Sequence, residues 1–392
     1  MKTIAKIAID GSRLFCGKKT GVEDFGWQLV WAMVKNQDLL EKFEIVIYIK
    51  NWTKAAEKLK KNLPKKWQIK KTLNLRRGWS QLVLPYQAWK DQLDFLIIPS
   101  HSLPIWDWTR IFKFITGKQS INKYKRIYVL HGLERFEAGD AYGFWDNLLG
   151  KILLRTSYKQ ADQVLTFADV TKQKAEQLWG KAEKVKVIGQ GAYGIKKILA
   201  AEKSKKIRKA VKVLAENKYF LYIGRKEQRK NLENLLKAYK IYKKSGKKVQ
   251  LALVGLPGHG YDKLKLYLSI NGVNEFGYVS LVEKHFLIAN CSGLVMVSKA
   301  EGFGRPILEA IKADKPFLAS DIPVLKEIYR EAGLFVDPNN IKAIVKGLKN
   351  LEKQAEKGME KNMKNTRQLL LRKYSWSEII KQLQEILMLN EF

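Results

Sequence analysis

Short apolar runs alternate with longer amphipathic segments along almost the whole chain. The short runs have the length and composition of buried strands, whereas the longer segments repeat apolar residues at helical spacing. In the first half, strands are predicted at Ile4–Asp10, Phe43–Ile49, Trp67–Leu73, Phe95–Ile98, Arg126–Leu130, Gln163–Phe167 and Val185–Ile188. In the second half, they are predicted at Tyr219–Gly224, Val249–Gly255, Glu275–Val279, Gly293–Val297, Pro316–Ala319 and Gly333–Val336.

The segments between the strands predict helices, for example Val22–Lys35, Asn231–Lys244, Val282–Ala289 and Asn340–Glu356. Repeated strand–helix units form parallel sheets covered by helices, so the pattern predicts an α/β protein with two doubly wound domains. A lysine-rich stretch at 196–216 separates the two sets, and we place the domains at 1–198 and 199–375. The last apolar helical segment, Ser375–Leu389, does not reveal which surface it packs on; we assign helix 376–392 to the first domain.

Composition agrees with a division into two domains and indicates the cell compartment of the protein. A chain of 392 residues that is 46% hydrophobic is long enough for two cores. The two cysteines, Cys16 and Cys291, lie far apart and suggest neither a disulfide framework nor a zinc site. The N-terminal pattern reaches Asp10 before a signal-peptide core develops, and no apolar run has the length of a membrane span. We therefore expect a cytoplasmic protein.

The charge is strongly positive, with 73 basic and 38 acidic residues and a net charge of +35. Such an excess indicates attraction to an anionic partner, which on this ground alone is a nucleotide, a nucleic acid or a lipid surface. The positive charge is concentrated between Lys54 and Arg77, where ten basic residues accompany one acid, Glu57.

One loop combines two carboxylates with a glycine-rich turn. The loop joins the predicted strand Gly293–Val297 to a helix that begins near Pro306; Glu301 lies on the loop, and Glu309 lies about one turn into the helix. Proline suits the first turn of a helix, and the free N–H groups at that end favour phosphate. The loop therefore suggests an anion-binding site with two carboxylates for other parts of the same ligand. A plain strand-to-helix connection with a capping Glu is the alternative.

Two strand ends in the first half carry candidate groups. Ligands of open parallel sheets bind at the carboxyl ends of the strands. The loop after the first strand contains Gly17 and Gly21 beside lysines, which suits a diphosphate, although turns of this kind also need glycine for steric reasons. His131 follows the fifth strand directly; a structural histidine is the alternative there.

The first strand of the second half ends in a cationic loop. Arg225 and Lys230 suit a polyphosphate, the first through its planar fork and the second as a point charge. Asn231 is predicted to cap the helix that follows. The alternative is a solvated loop in a lysine-rich protein, an interpretation that composition favours for Lys226 and Arg229.

Together these motifs resemble those of glycosyltransferase family 4, the retaining, mannosyltransferase-like group also described as glycosyl transferases group 1. The matching elements are Gly-Arg-x₄-Lys-Asn at 224–231, Glu-Gly-Phe-Gly-x-Pro-x-x-Glu at 301–309, and the segments 316–320 and 336–338. The resemblance covers nearly the whole chain and is most specific over 277–338. It implies the GT-B fold, in which two Rossmann-like domains, one for the acceptor and one for the nucleotide-sugar donor, face each other across a cleft.

The resemblance also implies roles for individual residues. The position of Glu309 holds the ribose hydroxyls, and that of Glu301 contacts the donor sugar. Arg225 and Lys230 match the cations that neutralise the diphosphate, and His131 matches a histidine near the transferred sugar. Further donor-binding positions are Gly17 and Gly21 of the first loop, Tyr278 and Val279 beside the base, and Phe303, Gly304, Arg305 and Ile307, most of them through backbone amides.

The activity so implied is the transfer of a hexose from a UDP- or GDP-linked sugar to a glycan or lipid-linked acceptor, with retention and without a metal or other cofactor. No Asp-x-Asp motif follows a comparable strand. Three positions depart from the family pattern: Gly132 stands where Asp is common, Arg305 replaces an aliphatic residue, and Ala168-Asp169 replaces Ser-Glu. Arg305 adds a cation that serves either the diphosphate or an anionic acceptor.

The basic segment has several interpretations. Trp52, Ala56, Leu59 and Leu63 share one face of a predicted helix, which is typical of a helix on an anionic membrane. The membrane-facing candidates are Lys58, Lys61, Lys65, Lys66, Arg76 and Arg77. If this helix binds the membrane, the protein is a peripheral protein at the inner face of the membrane. The alternative is a solvated helix whose apolar face packs on the sheet.

A non-catalytic binding protein is the rival to the enzyme. It would use the same basic surface for nucleic acid or an anionic membrane and keep the fold. Trp52, Trp67 and Trp79 would suit single-stranded nucleic acid. The regular strand–helix framework and the donor motifs favour the enzyme, so we expect no nucleic-acid partner.

Overall fold

A computed structural model describes residues 5–75, 78–100, 102–104, 124–192 and 208–389. The chain divides into two compact units. The first comprises Met1–Gly132, Leu148–Gly191 and Ser375–Phe392, and the second comprises Leu133–Asn147 and Ala192–Tyr374. The boundary predicted between residues 198 and 199 lies outside the described residues.

The first unit contains a seven-stranded sheet in the order β3-β2-β1-β4-β5-β6-β7. Its strand pairs are parallel. The strands are β1 Ala5–Asp10, β2 Phe43–Ile49, β3 Trp67–Lys71, β4 Phe95–Ile98, β5 Lys125–Val129, β6 Gln163–Thr166 and β7 Val185–Val187. The strand order reverses at β1, so the ends of β1 and β4 lie at the position where such sheets bind ligands.

The second unit contains a six-stranded parallel sheet in the order β10-β9-β8-β11-β12-β13. The strands are β8 Tyr219–Ile223, β9 Gln250–Val254, β10 Val273–Phe276, β11 Gly293–Met296, β12 Phe317–Ser320 and β13 Leu334–Val336. Here the order reverses between β8 and β11. The predicted α/β class with two doubly wound parallel sheets is confirmed.

Helices fill the gaps between the strands. In the first part of the chain they are α1 Gly21–Val34, α2 Gln37–Lys42, α3 Lys54–Lys60, α4 Leu84–Lys90, α5 Glu134–Glu137, α6 Phe144–Gln160 and α7 Asp169–Trp179. In the remainder they are α8 Lys209–Ala215, α9 Leu232–Lys244, α10 Leu281–Asn290, α11 Arg305–Lys312, α12 Pro323–Tyr329, α13 Ile341–Lys357, α14 Lys361–Lys373 and α15 Trp376–Leu389. None of the helices in these described ranges has the length and hydropathy needed to cross a bilayer.

The last helix, α15, packs in the first unit. The indole Nε1 of Trp376 donates to Oε1 of Gln28 on α1 at 3.0 Å. The ring also lies against Gly191, where an added Cβ would stand 2.5 Å from it. Ile379 and Leu383 of the same helix are fully buried. The helix therefore contributes to the core of the unit that contains the start of the chain.

Two of the four residues on the apolar face of the basic segment are buried within the first unit. Ala56 and Leu59 of α3 are both 0% exposed. Trp67 and Trp79 are buried as well, and Trp79 Nε1 donates to Thr72 Oγ1 at 2.9 Å. The packing alternative is therefore correct for Ala56 and Leu59, whereas Trp52, predicted on the same face, is 39% exposed. The stacking of bases on Trp67 and Trp79 is excluded because these rings lie in the core.

The cations of this segment remain on the surface. The side chains of Lys58, Lys61, Lys65 and Lys66 are exposed. The other two membrane candidates, Arg76 and Arg77, lie outside the described residues. A contact of this surface with an anionic partner would therefore depend mainly on charge, since Ala56 and Leu59 are buried in the core.

Candidate functional site

The glycine-rich loop between β11 and α11 has the predicted strand–turn–helix form. Gly304, at the start of α11, has a φ of 81°, which lies in the left-handed region. A Cβ at this position would also come within 2.7 Å of Leu325. Glycine is therefore needed here both for its backbone conformation and for space. Pro306 occupies the first turn of the helix, where its missing N–H removes no helical hydrogen bond.

Glu301 is buried in this loop and bound on several sides. Its side chain accepts from Lys230 Nζ at 2.6 Å and from Ser298 Oγ at 2.7 Å, both on Oε1. Lys230 ends a short 3₁₀ turn, Gln228–Lys230, which follows β8. The structure therefore brings together two of the residues that the sequence analysis singled out.

Arg229, beside Lys230, is the centre of an ionic cluster. Its guanidinium lies 2.6 Å from Glu227, 3.8 Å from Glu301 and 3.9 Å from Glu134, and it donates to the carbonyl of Ala300 at 3.1 Å. Burial alone would lower the pKa of Arg229, but the surrounding carboxylates raise it above its usual value. The solvated loop that composition favoured for Arg229 is wrong, because three carboxylates compensate the cost of its burial.

This cluster holds Glu301 in its ionised form. Burial alone would raise the pKa of Glu301, but Lys230 and Arg229 outweigh it and lower the pKa below its usual range. Burial has the opposite consequence for Lys230, whose pKa it lowers together with the neighbouring charge of Arg229. At neutral pH the loop therefore contains a carboxylate fixed beside two cations.

Two other residues of the cationic loop differ from expectation. Lys226 is 2% exposed and pairs with Glu275, and it also donates to the carbonyl of Phe276 at 3.2 Å. Asn231 stands at the N-terminus of α9 in a left-handed conformation, with φ of 57°, and makes no capping hydrogen bond. Its amide instead donates to the carbonyls of Val297, at 3.0 Å, and Pro338, at 2.7 Å.

Arg225 is exposed, unlike its neighbours in the loop. Its carbonyl accepts from the hydroxyl of Tyr222 at 2.8 Å, which fixes the backbone at this point. The guanidinium can therefore meet a solvent-borne anion, whereas Lys226 and Arg229 are committed to carboxylates. This distinction within one short loop is not visible in the sequence.

A segment from the first half of the sequence, Leu133–Asn147, belongs to the second unit and completes the cluster. Its Glu134 supplies one of the carboxylates beside Arg229. Ala138 and Ala141 pack against Ala300, next to Glu301. Sequence reasoning placed this segment in the first domain and missed its contribution, because the partners are far apart along the chain and no local pattern links them.

The second carboxylate of the motif, Glu309, lies on α11 and is 2% exposed. Its Oε1 accepts from Lys284 Nζ of α10 at 2.6 Å, and Arg305 Nη2 lies 4.0 Å from the same oxygen. The other oxygen, Oε2, is buried and has no hydrogen-bond partner among the described residues. Lys284 was missed in the sequence analysis, because Glu309 lies 25 residues further along the chain and no local pattern links the two side chains.

The remaining loop residues have structural partners. The ring of Phe303, 2% exposed, packs edge-on against Tyr374 at 5.2 Å and Tyr329 at 5.8 Å between ring centres. The N–H of Ile307 donates to the carbonyl of Gly304 at 2.9 Å, so this amide is engaged within the turn. Binding of a diphosphate by the amides of this loop stays a prediction.

The residues predicted beside the base follow β10 as a loop. The strand ends at Phe276 and not at Val279, because the edge strand pairs with β9 only over Val273–Phe276. Val279 is buried, and the carbonyl of Tyr278 accepts from Arg208 Nη2 at 3.4 Å. Arg208 is itself held by Glu283 of α10 at 2.6 Å.

The candidates of the first unit surround the carboxyl ends of its central strands. His131 Nε2 lies 2.6 Å from the carbonyl of Pro99, and its ring packs edge-on against Phe25 and Phe167. The hydrogen bond to a carbonyl requires a proton on Nε2 and fixes the orientation of the ring. Gly17 and Gly21 are exposed, and a Cβ at either position would meet no atom within 4 Å. The roles of all three in catalysis or binding stay predictions.

Part of the second unit is similar to a known protein family. Residues 203–369 match the family model of glycosyl transferases group 1. The O-antigen chain mannosyltransferase B of Escherichia coli is 38% identical over 33% of this chain and 36% of its own length. The O-antigen chain mannosyltransferase RfbU of Salmonella typhimurium is 28% identical over 57% of this chain and 60% of its own. The chain thus spans less than two thirds of either relative.

Solved structures match the fold over almost the full length. HepE of Anabaena, crystallised with UDP and glucose, superposes with a TM-score of 0.68 at 17% identity and covers 98% of this chain and 100% of its own. Sucrose-phosphate synthase of Thermosynechococcus elongatus gives a TM-score of 0.69 at 15% identity, over 98% of each chain. At such identities the likeness concerns the fold. The resemblance drawn from the motifs is therefore confirmed: residues 203–369 match the glycosyl transferases group 1 model, in a chain with the GT-B fold that is similar to glycosyltransferase family 4.

Proposed function

We propose that the protein is a glycosyltransferase that moves a hexose from a nucleoside-diphosphate sugar to a glycan or lipid-linked acceptor. The observation that carries the proposal is the motif of Glu301 and Glu309 at the N-terminus of α11, with Lys230 at 2.6 Å from Glu301. The combination of helix N–H groups and fixed cations suits a diphosphate, and the carboxylates suit hydroxyl groups.

The relatives supply the first candidate for the sugar. Two of them are named mannosyltransferases of the O-antigen chain, so mannose and a polysaccharide acceptor are the specific form of the proposal. HepE was crystallised with UDP and with UDP-glucose, which keeps UDP-sugars beside GDP-sugars as donors to be tested.

The proposed reaction breaks the bond between the anomeric carbon and the diphosphate oxygen and forms one to the acceptor oxygen on the same face. Negative charge develops on the leaving diphosphate, and preorganised cations and amides stabilise it. Arg225 and Lys230 are proposed for this role, with His131 and Glu301 at the sugar. The proton of the acceptor hydroxyl passes to the leaving phosphate. Retention and independence of a metal are parts of the proposal taken from the family resemblance.

A thermal-shift panel of nucleotide sugars tests donor binding. A ligand that binds only the folded state raises the melting temperature by an amount that grows with its affinity. We expect a shift with one UDP- or GDP-sugar, in buffer with EDTA as well as with Mg²⁺, and loss of the shift in Lys230→Ala and Glu309→Ala. If the parent responds to no nucleotide sugar, or if both variants respond like the parent, the proposal is wrong. The anomeric configuration of a product, determined by NMR, then tests retention.

We further propose that the protein acts in the cytoplasm as a peripheral protein whose exposed lysines Lys58, Lys61, Lys65 and Lys66 meet an anionic membrane. Because the apolar face of α3 is buried, the binding should be electrostatic and sensitive to salt. Flotation with vesicles tests this: the parent should float with vesicles rich in phosphatidylserine at low salt and not with neutral vesicles. Replacement of the four lysines by Glu should abolish flotation, and equal recovery with both vesicle types would contradict the idea.

A further inference from the structure

Glu309 is held by cations from two helices. Lys284 of α10 donates to Oε1 at 2.6 Å, within hydrogen-bond distance. Arg305, one turn before Glu309 on α11, lies 4.0 Å from the same oxygen, beyond hydrogen-bond distance. Lys284 therefore fixes the direction of the carboxylate, whereas Arg305 contributes charge.

This arrangement leaves Oε2 as a buried acceptor. It has no hydrogen-bond partner in the described part of the chain, although Glu309 is 2% exposed. A buried carboxylate oxygen without a donor is costly, and in native structures such a group calls for a partner from outside the chain. The orphan oxygen thus points to a donor group on a ligand.

The charge of the cluster limits what that ligand group can be. One carboxylate stands between two cations, so a cationic donor on the ligand is disfavoured. A neutral hydroxyl on an otherwise anionic molecule satisfies both the acceptor and the excess positive charge. The N-terminus of α11, four residues before Glu309, adds to the preference for an anion. A ribose bearing a diphosphate has this chemistry.

We infer that Lys284 is a positioning residue that orients Glu309 so that Oε2 accepts a ribose hydroxyl, and that it thereby makes the protein selective for ribonucleotides. The inference rests on the proposed donor site and assigns it a residue outside the motif. Without the ammonium of Lys284, the carboxylate can turn, and its two oxygens no longer differ. The hydroxyl would then lose a preorganised acceptor.

Isothermal titration with UDP, GDP and their 2′-deoxy and 3′-deoxy forms tests the inference. For the better-bound base, we expect the parent to prefer the ribonucleotide over one deoxy form by about tenfold to a hundredfold, as for a hydrogen bond to a charged group. Lys284→Met should reduce this ratio to about threefold or less, and Lys284→Arg, which keeps the charge, should restore most of it. A ratio is informative because a general loss of structure would weaken both ligands alike.

The matched control is Lys218→Met, which removes a lysine from a surface ion pair of the same unit, 3.0 Å from Glu356. It should leave the ratio unchanged. Should Lys284→Met not fold, Lys284→Arg and Glu309→Gln report on the same contact. If the parent shows no discrimination, or if Lys284→Met retains it, the inference on Lys284 is overturned while the proposed function stands. If the parent binds no nucleoside diphosphate at all, both are overturned.

Discussion

The two carboxylates of the loop and its helix, Glu301 and Glu309, are both buried but are held in different ways. Glu301 accepts from Lys230 and Ser298 and also lies 3.8 Å from Arg229. Glu309 accepts from Lys284 on one oxygen and leaves the other without a partner among the described residues. Identical side chains in one motif thus have different capacities for further bonds.

This difference suggests that one carboxylate matters mainly for the stability of the fold and the other mainly for ligand binding. Glu301 is the counter-ion that makes the burial of Lys230 and Arg229 tolerable, so its removal leaves cations buried without compensation. Glu309 compensates Lys284, which is 19% exposed and can turn toward water. Glu301 should therefore matter more for folding, and Glu309 more for the ligand. The predictions below test this contrast, from the largest expected effect to the smallest.

The largest effect is expected for Glu301→Ala. This change should lower the free energy of unfolding by about 3–5 kcal/mol, as for a buried ion pair that loses one partner. Glu309→Ala, which introduces a good helix former into α11, should cost about 1–2 kcal/mol. Urea unfolding followed by circular dichroism measures both. Equal losses in the two variants would remove the proposed contrast.

The second effect concerns the donor. Glu309→Ala removes the acceptor oxygen and should weaken the binding of the cognate nucleoside diphosphate by about tenfold to a hundredfold, since the hydrogen bond from the ribose to a charged acceptor is lost. Titration calorimetry measures the dissociation constant. Glu331→Ala, on the exposed turn after α12, serves as the control and should bind like the parent. A Glu309 variant with unchanged affinity would contradict the assignment.

The third effect tests whether Arg229 is structural. Arg229→Met should lower the free energy of unfolding by about 2–3 kcal/mol, because Glu134 and Glu227 lose their shared partner. Affinity for the donor should change less than in Lys230→Ala, because Arg229 is committed to carboxylates. Thermal unfolding of the ligand-free variant and titration of the donor separate the two quantities. If Arg229→Met is as stable as the parent but no longer binds the nucleotide-sugar donor, Arg229 contacts the ligand directly.

The fourth effect is a dependence on pH. Burial raises the pKa of Glu301, but Lys230 and Arg229 outweigh it and lower the pKa in the folded protein, so the ionised carboxylate stabilises the fold above the unfolded-state pKa. This contribution is lost as the pH falls from the unfolded-state pKa through the lower folded one. The unfolding free energy of the parent should therefore fall more steeply than that of Glu301→Gln as the pH is lowered below about 5. Parallel curves for the two proteins would mean that Glu301 does not titrate differently in the folded state.

The sequence predicts the framework well because buried parallel strands are apolar on both faces and contrast with the helices between them. Strands such as Phe43–Ile49 and Phe95–Ile98 are found at their predicted bounds. The edge strand β10, with partly exposed residues, was shifted by two or three positions, since only one neighbour fixes its register. Local pattern is thus least informative where a strand has one partner.

The candidate site was only partly predictable, for a different reason. The spacing of Glu301 and Glu309 is a local feature of a turn and a helix, so the sequence alone predicts it. The burial of Arg229 depends on Glu134, and the orientation of Glu309 depends on Lys284. These partners are distant along the chain, and in a protein with 73 basic residues no single lysine or arginine stands out by composition. Only the tertiary structure selects them.

The smallest effect is expected at Arg305, whose role the sequence left between the diphosphate and an anionic acceptor. Its guanidinium lies 4.0 Å from Glu309 at the first residue of α11, where it acts through charge. Arg305→Leu should therefore weaken donor binding by about threefold or less, as for a charge without a direct hydrogen bond. Titration at low and high salt measures this, and the difference between Arg305→Leu and the parent should shrink in high salt. A loss as large as that of Lys230→Ala would instead show that Arg305 binds the diphosphate itself, and the two cations beside Glu309 would then divide into one for the ribose and one for the phosphate.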